Sequence, residues 1–553
     1  MKKHPIRPCV PVRTRRLPVA LATLACLASS AHAFELDLDN PDLRARLDNT
    51  FKWSGAARLK SADATLLSSP NHDDGDRNFG KGVISNRLDW LSEFDVTYQR
   101  NLGLRLSAAA FYDDAYHRSN DNPGFAGGAF PNQGSVAANQ FTKETRAVHG
   151  NKAELLDAFV FGKTELGDST LSGRLGRHGL LWGESLFFGA NAIAGGQMPV
   201  DIVKLLSVPN TQFKEAIRPV PQVSGHLQIS PDVSVSAYYQ FRWAKSVAPA
   251  VGSYFSNVDV AVDGAESLLL PSPLSPALRQ TDSQPKNSGQ GGLQFKVRAA
   301  DTDFGFYAIR FHNKTPQVVP VVGFIVPPPT PVVAPLGFTH TYQSGITAFG
   351  ASASRTIGDY NLAVEASIRH RQDLASTQGA NASALGGPAL GYAIGNTAHV
   401  NLSTLATLPG NLLWNEASLL GEIAWNRVLH VTENAAAVDP NATRDAVALR
   451  LQLEPTYRQV LPGLDVGVPV GLGWAPHGSR SMALGPLAMP SDGGGDISLG
   501  LNGTYLDAWR FSLSLTHYFG TVGTFQSGAN NAYTYKQTLK DRDYVALSVR
   551  RTF

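Results

Sequence analysis

Cysteine is almost absent from this chain, which has 553 residues and only two cysteines, Cys9 and Cys26. Both precede residue 34, where we expect the mature protein to begin. The mature chain would then have no disulfide, no thiolate nucleophile and no cysteine-ligated metal. Charged residues are also scarce, at 17% against roughly 25% in typical soluble domains. With 52 glycines and few helix-period segments, this composition favours an all-β protein.

The sequence also lacks an apolar run that could form a membrane-spanning helix. The most apolar candidate, residues 318–335, contains six prolines, and a helix interior does not tolerate them without losing hydrogen bonds. This excludes an inner-membrane helical protein. A periplasmic or secreted β protein and an outer-membrane β-barrel remain.

The first 33 residues have the three parts of a secretory signal peptide. Six basic residues precede an apolar stretch at 17–28, and Ala31-His32-Ala33 supplies the cleavage pattern. Cleavage at Cys26, as in a lipoprotein, is the competing interpretation. Removing residues 1–33 changes the formal charge from +3 to −3, so nucleic acid is not an expected partner.

Several segments alternate apolar and polar residues, as a barrel wall requires. Residues 233–243 place Val235, Tyr239, Phe241 and Trp243 on one face and serines, Gln240 and Arg242 on the other. The segments at 293–298, 447–454 and 497–502 repeat the pattern. We interpret the two faces as lipid-facing and lumen-facing rows.

The connections distinguish a barrel from a β-sandwich. Eight short turn signals, at 101–103, 167–168, 231–232, 301–303, 358–359, 409–411, 462–463 and 507–508, alternate with long loops. Short turns on one side and long loops on the other are typical of outer-membrane barrels. With both termini on the short-turn side, the prediction is a transmembrane antiparallel β-barrel of 18 strands, with 14 or 16 as alternatives.

Aromatic residues flank the short turns, where a girdle would contact the headgroups. They are Tyr98, Phe304, Tyr360, Tyr457, Tyr505 and Trp509. The chain ends in a predicted strand whose Val545, Leu547, Val549 and Phe553 share one face. This end resembles the closing strand of bacterial outer-membrane barrels, whose terminal aromatic is read by the barrel assembly machinery, although Arg551 departs from the usual apolar position.

Residues 174–218 are too long for a turn and mix aromatics with both signs of charge. We predict an inward-folded lumen loop or plug whose aromatics contact a ligand; a surface loop packed on itself is the alternative. Adding charged wall positions gives the candidate lumen and ligand residues Arg174, Arg177, His178, Trp182, Glu184, Phe187, Phe188, Asn191, Gln197, Phe213, Lys214, Arg242, Lys296, Arg298, Arg450 and Glu454.

The whole mature chain resembles a family of proteobacterial outer-membrane proteins known only as a domain of unknown function. The resemblance is carried by Asn40-Pro41-Asp42-Leu43, Phe111-Tyr112-Asp113-Asp114, Leu155-Leu156-Asp157-Ala158 and the runs at 176–191, 204–210 and 231–241. It implies an outer-membrane location in a Gram-negative bacterium. It also implies an envelope lipoprotein and an inner-membrane exporter of the resistance-nodulation-division type as partners, beside outer-membrane lipid and lipopolysaccharide.

Two loop features have functional and structural interpretations. Residues 318–335 would hold apolar side chains exposed on a stiff polyproline segment, or pack on neighbouring loops. The acidic stretches at 71–76 and 492–496 could hold calcium, but solvated loop acids are the expectation, so no cofactor or metal is predicted.

Enzyme signatures are absent from the sequence: it has no G-x-S-x-G, no H-E-x-x-H and no phosphate-binding Gly-Lys-Ser/Thr loop. His312 and His517 keep a lipid hydrolase as one alternative, and an outlet that docks an exporter is another. The sequence best supports a non-enzymatic channel for hydrophobic or amphipathic small molecules.

Overall fold

The computed structural model describes residues 34–36, 40–124, 132–208, 212–271, 274, 276–326, 329 and 331–553. The predicted signal peptide, residues 1–33 with both cysteines, lies outside the described residues. None of the described helices is long and apolar enough to cross a membrane.

Twenty of the strands form one antiparallel sheet that closes on itself. The strands of the whole chain are β1 (Phe34–Leu36), β2 (Leu43–Arg58), β3 (Gly82–Tyr98), β4 (Leu102–Asp113), β5 (Asn151–Leu166), β6 (Ser169–His178), β7 (Val220–Ser230), β8 (Val233–Gln240), β9 (Ser267–Leu268), β10 (Ala277–Arg279), β11 (Gln290–Ala299), β12 (Thr302–Phe311), β13 (Gln317–Val326), β14 (Val332–Thr341), β15 (Ile346–Ile357), β16 (Tyr360–Asp373), β17 (Ile394–Leu408), β18 (Glu416–Glu433), β19 (Asp445–Leu461), β20 (Leu464–Gly467), β21 (Val470–Trp474), β22 (Gly495–Tyr505), β23 (Trp509–Phe519) and β24 (Tyr544–Thr552).

Eighteen of these are wall strands, which confirms the predicted strand number. β20 and β21 are two halves of one strand, because both pair with β19 and β22 and are separated only by Val468 and Pro469. The short β1 pairs with β2 beyond the end of β24. Pairing of β24 with β2 closes the barrel, and Asn49 and Phe553 exchange backbone hydrogen bonds of 3.0 and 2.9 Å at the seam.

The remaining elements belong to the long loops. β9, β10, β13 and β14 form a small separate sheet. The helical segments are Leu66–Ser68, Asp74–Arg77, Asp114–His117, Lys143–Thr145, Arg146–Gly150, Ala194–Gln197, Ile202–Ser207, Phe213–Ala216, Ser383–Leu385 and Ala435–Ala437. All eight predicted short turns join consecutive wall strands at one end of the barrel. Three of the turns begin one or two residues earlier than predicted, with paired non-glycine residues of positive φ (Gln99 with Arg100, Ala300 with Asp301, Leu506 with Asp507), the conformation of tight hairpins.

The alternation of side chains follows the predicted faces. In β8, Ser236 and Gln240 are buried on the lumen side while Tyr239 is 43% exposed on the outside. In β22, Ser498 is buried and Leu499 is 50% exposed. A closed barrel with an apolar outer face satisfies every backbone hydrogen bond within a membrane, so the protein is an outer-membrane β-barrel.

The predicted row of residues 233–243 is wrong at its end. β8 stops at Gln240, so Arg242 and Trp243 lie beyond the wall strand. Trp243 donates from Nε1 to the Asn313 carbonyl at 3.0 Å and packs edge-on against Tyr342. Arg242 is exposed and does not line the wall.

Arg551 is explained by its neighbours. Its guanidinium lies 4.8 Å from the ring centroids of both Trp509 and Phe553, and the residue is only 6% exposed. The terminal aromatic and a girdle tryptophan therefore enclose the charge from two sides. Recognition of this strand by the assembly machinery stays a prediction.

Two loop predictions need correction. Residues 318–326 and 332–335 pair in the hairpin β13–β14 rather than extending as polyproline, although Phe324, Ile325 and Val326 are exposed as expected. Pro327, Pro328 and Thr330 lie outside the described residues. The acids at 71–76 are not solvated, because Asp73, Asp74 and Asp76 are each 2% exposed or less. Burial raises the pKa of Asp74 to about 7.

Candidate functional site: a segment folded into the lumen

The connection between β6 and β7, residues 179–219, folds into the barrel in its described parts, 179–208 and 212–219; we call it the lumen segment. The predicted start at 174 is wrong, because residues 174–178 belong to the wall strand β6. Trp182 packs edge-on against Tyr238 of β8 with ring centroids 5.0 Å apart, and also meets Tyr307 of β12. Both tyrosines are buried on the lumen face of the wall. Ile193 joins the same apolar cluster, so the first half of the segment is packed against the inner wall.

Glu422 of β18 fastens this half of the segment. Its Oε2 accepts hydrogen bonds from the backbone N–H groups of Leu186 (3.2 Å), Phe187 and Phe188 (2.8 Å). Its Oε1 accepts from the Ser185 hydroxyl and the Asn401 amide, both at 2.7 Å. Glu422 is 2% exposed, so its charge is compensated by these five donors, four of which belong to the segment.

Glu365 of β16 is a second anchor of the same kind. Its Oε2 accepts from the Glu184 N–H at 2.7 Å and its Oε1 from the Ile193 N–H at 2.6 Å. Gly183 makes this approach possible, because its φ is +96° and a Cβ there would lie 2.2 Å from Glu365 Oε2.

Arg369 lies four residues after Glu365 on the same face of β16 and binds backbone carbonyl groups of the segment. One nitrogen of its guanidinium donates to Ala190 O at 2.9 Å and to Ala192 O at 2.8 Å. The wall thus satisfies both the donors and the acceptors of the irregular backbone, which has no strand partner of its own here.

Asn191 is the centre of a buried polar network. Its amide nitrogen donates to Asn401 Oδ1 at 2.9 Å and to the Trp425 carbonyl at 3.0 Å. Its Oδ1 accepts from Asn426 at 3.1 Å and contacts His399 Nδ1 at 3.0 Å. Every polar atom of the Asn191 side chain is therefore used to hold the segment on β17 and β18.

The second half of the segment crosses the lumen. Asp201 caps the helix Ile202–Ser207 by accepting from the Lys204 N–H at 3.0 Å. The far end of this helix reaches β24, whose Tyr544 hydroxyl shares its one proton between the carbonyls of Leu206 and Ser207, each 3.3 Å away. Around the eighteen-strand wall, β24 lies five strands from β18 and seven from β16, so the segment is attached to two separate parts of the wall.

A buried lysine from the loop between β12 and β13 also contacts the segment. Lys314 donates from Nζ to the Gly196 carbonyl at 2.9 Å and to the His312 carbonyl at 3.2 Å. Burial lowers the pKa of Lys314 to about 7, and the ion pairs of the described residues include no carboxylate that would compensate its charge.

The predicted residues have three different fates. Trp182, Phe188, Asn191, Gln197, Phe213 and His178 are all buried where the segment meets the wall or itself. Of these, Gln197 accepts from the Trp182 N–H at 2.7 Å and His178 contacts the Ser224 hydroxyl at 2.8 Å. Buried aromatics hold the segment in place, so in this conformation they do not offer a surface to a ligand.

A second group faces the lumen as charged side chains. Arg174, Lys296 and Arg298 are exposed on the inner face, and Arg298 pairs with Asp303 at 2.7 Å. Arg450 pairs with Asp496 at 3.0 Å and lies 5.9 Å from the ring centroid of Phe187. Glu454 accepts from Asn502 at 3.0 Å, and Glu184 is half-buried.

The structure does not place Arg177, Arg242 or Lys214 in such a site. Arg177 shares the outward face of β6 with Leu175 and donates from Nε to the Leu156 carbonyl at 2.8 Å. Arg242 lies beyond β8, as described above. Lys214 is exposed on the helix Phe213–Ala216.

Sequence reasoning missed Glu365, Arg369, Asn401 and Glu422, which fasten the segment. They could have been recognised in the sequence, because each is a polar residue at a lumen position of a strand whose alternate residues are apolar. Val364 and Ile368 flank the first two on the outside of β16 and are 38% and 45% exposed.

The two histidines considered for a hydrolase have structural contacts. His312 contacts the Ser288 carbonyl through Nε2 and accepts from the Gly345 N–H through Nδ1. His517 Nδ1 lies 2.6 Å from Asp543 Oδ2, a carboxylate that also pairs with Lys60 at 2.8 Å. Neither contact set includes a serine hydroxyl among the residues that the structure describes.

Comparison with known proteins identifies the family. Residues 14–553 match the family described as "Protein of unknown function (DUF1302)". The chain belongs to this family. No curated protein matches the sequence.

Among solved structures, the chain is similar to Acinetobacter baumannii OccAB1, with 10% identity, 95% of this chain and 99% of that chain covered, and a TM-score of 0.41. It is similar to Pseudomonas aeruginosa OccK2 (OpdF) in complex with glucuronate, with 11% identity, 92% and 98% coverage and a TM-score of 0.38. OmpT, an outer membrane protein of Vibrio cholerae, has 10% identity, 92% and 99% coverage and a TM-score of 0.36.

Proposed function

We propose that this protein is an outer-membrane channel that the lumen segment holds closed until a signal releases it. The observation that carries the proposal is the attachment of one segment to two separate parts of the wall, through Glu365 and Glu422 at one and Tyr544 at the other. The anchors are hydrogen bonds to charged or phenolic groups rather than covalent links, so they can be exchanged for water when the segment moves.

We further propose that the substrates are small amphipathic molecules with an anionic group. Arg174, Lys296 and Arg510 are exposed cations at lumen positions of three strands, and positive side chains concentrate anions in a low-dielectric passage. The helix that crosses the lumen adds apolar surface, since Ile202, Val203, Leu205 and Leu206 are only half-buried. A positively charged wall beside an aliphatic helix suits a molecule that has an anionic group and an apolar chain.

Planar-bilayer recording of refolded residues 34–553 tests the closed state. We expect brief openings separated by long closed periods in symmetrical salt. A steady large conductance would refute the closed state and indicate an open pore beside the segment.

A second recording tests the substrate class with decanoate as the probe. Decanoate should change the current at concentrations at least tenfold lower than acetate, which has the same charge but no aliphatic chain. Lys296→Gln combined with Arg174→Gln should weaken this effect about tenfold. Arg427→Gln is the matched control, because Arg427 pairs with Asp445 on the outward side of β18. Equal responses to decanoate and acetate would contradict an amphipathic substrate.

A closed lumen also favours a partner-dependent conduit. We propose an envelope lipoprotein together with an inner-membrane exporter as the agents that open it in the cell. Crosslinking in intact cells, followed by recovery of the barrel, should capture an exporter subunit. Full transport by the isolated barrel would remove the need for such a partner.

A further inference from the structure

Three buried carboxylates meet outside the lumen segment, in the long loops at the end of the barrel opposite the short turns. Asp73 and Asp74 lie in the loop between β2 and β3, and Asp259 lies in the loop between β8 and β11. One oxygen from each lies within 4.8 Å of the others. The three residues are 1%, 1% and 0% exposed.

The charges of this cluster are poorly compensated by protein groups. Arg77 pairs with Asp73 at 2.7 Å. Within the described part of the chain, the ion pairs include none to Asp74 or Asp259. The neighbouring Asp76 shows the contrast, since Arg542 and Arg58 approach it at 2.7 and 3.5 Å.

Hydrogen bonding leaves the same two carboxylates incomplete. Asp259 Oδ2 accepts from the Asp74 N–H at 3.2 Å, but its Oδ1 has no donor. Neither oxygen of Asp74 accepts a hydrogen bond. Gln133 and the Asn132 backbone approach this carboxylate without reaching hydrogen-bond geometry. A fully buried carboxylate with no donor points to a missing positive ligand, because burial without compensation strongly disfavours the charge.

We propose that Asp73, Asp74 and Asp259 bind a calcium ion. Three carboxylates less one arginine leave two negative charges, which a divalent cation balances. The ligand atoms are all oxygen, which suits a hard cation rather than zinc. Calcium accepts irregular sets of six to eight oxygens, whereas magnesium requires a near-octahedral set and retains water. Asn132 Oδ1 and Ser253 Oγ are further buried oxygens without a partner on the adjoining loops.

Such an ion would tie the β2–β3 loop to the β8–β11 loop. The two loops already share polar links, among them Asp259 N–H to Asn71 O at 3.0 Å and Asn78 to Gly252 O at 2.9 Å. They also share an edge-on aromatic contact between Phe79 and Tyr254, whose ring centroids lie 5.7 Å apart. The ion would therefore stabilise the loops over the outer mouth, independently of whether the lumen segment closes a channel.

Calorimetric titration of CaCl₂ into refolded residues 34–553, in detergent free of lipopolysaccharide, tests the proposal. We expect one calcium to bind, magnesium to bind at least tenfold more weakly, and the temperature of heat modification on gels to rise with calcium. Asp74→Asn and Asp259→Asn should each weaken calcium binding at least tenfold.

Asp439→Asn is the matched control. Asp439 is also 1% exposed, but it accepts from Asn441 N, Thr377 Oγ1 and Tyr533 N at 2.9, 2.7 and 2.7 Å. This variant should lower stability and keep calcium binding. Absence of calcium binding by the unsubstituted protein at millimolar concentration would overturn the proposal, as would calcium binding unchanged in both aspartate variants. Because the first of these results needs no variant, the test stands even if the substitutions prevent folding.

Discussion

Replacing Glu422 with alanine should release the lumen segment. Three backbone N–H groups and one hydroxyl of residues 185–188 would lose their acceptor. A hydrogen bond to a charged group contributes about 1.5 to 3 kcal/mol. The three backbone donors alone would then give at least about 4.5 kcal/mol, but water can reach them once the segment moves. We therefore expect a loss of about 3 kcal/mol for the closed state, which raises the opening equilibrium constant about 100-fold.

Two independent readouts check this prediction. In planar bilayers, Glu422→Ala should convert brief openings into long ones. A cysteine at Leu186 should also react at least tenfold faster with a membrane-impermeant maleimide in the Glu422→Ala background, since residues 34–553 contain no other cysteine.

The control is Glu454→Ala, which removes a lumen carboxylate whose described hydrogen bond goes to Asn502 of the wall. It should leave gating and labelling unchanged. If Glu422→Ala folds into a heat-modifiable barrel but opens and labels like the unsubstituted protein, the carboxylate does not hold the segment, and our account of the closed state is refuted.

Three further outcomes follow from other contacts. Tyr544→Phe removes one long hydrogen bond to the crossing helix, shared between two carbonyls at 3.3 Å, so bilayer recording should show openings increased only about fivefold, for a loss of about 1 kcal/mol; an effect as large as that of Glu422→Ala would contradict this ranking. Lys314 has a pKa of about 7 when folded and about 10.4 when unfolded, so the unfolded chain binds the extra proton and stability rises from pH 7 to pH 10. Lys314→Met should reduce this rise in the temperature of heat modification, and an unchanged rise would count against it. Arg551→Leu should lower the same temperature, for a loss of about 1 to 2 kcal/mol in two cation–π contacts; equal or higher stability would show that the charge is merely tolerated.

The sequence predicted the wall of this protein well because the information there is local. Side-chain alternation has a period of two residues, and the short turns carry their own residue preferences, so the strand number and the orientation of both termini are confirmed. Errors appear where a strand ends. Alternation continues through Arg242 and Trp243, but pairing stops at Gln240, and the end of pairing depends on β11 rather than on the residues themselves.

The position of the lumen segment could not be predicted in the same way, because contacts distant in the sequence determine it. Its length and aromatic content predicted that it folds inward, but aromatic residues there suggested ligand contact, whereas Trp182 and Phe188 are buried against the wall. The residues that decide its position are Glu365 and Glu422, about 180 and 235 positions away along the chain, and in the sequence they resemble any lumen-facing acid. A buried carboxylate stabilises a barrel only if donors reach it. An acid at a lumen position therefore predicts that some other part of the chain, or a ligand, supplies those donors. Here the backbone of residues 184–193 supplies them, which is why this irregular segment has one defined place in the lumen.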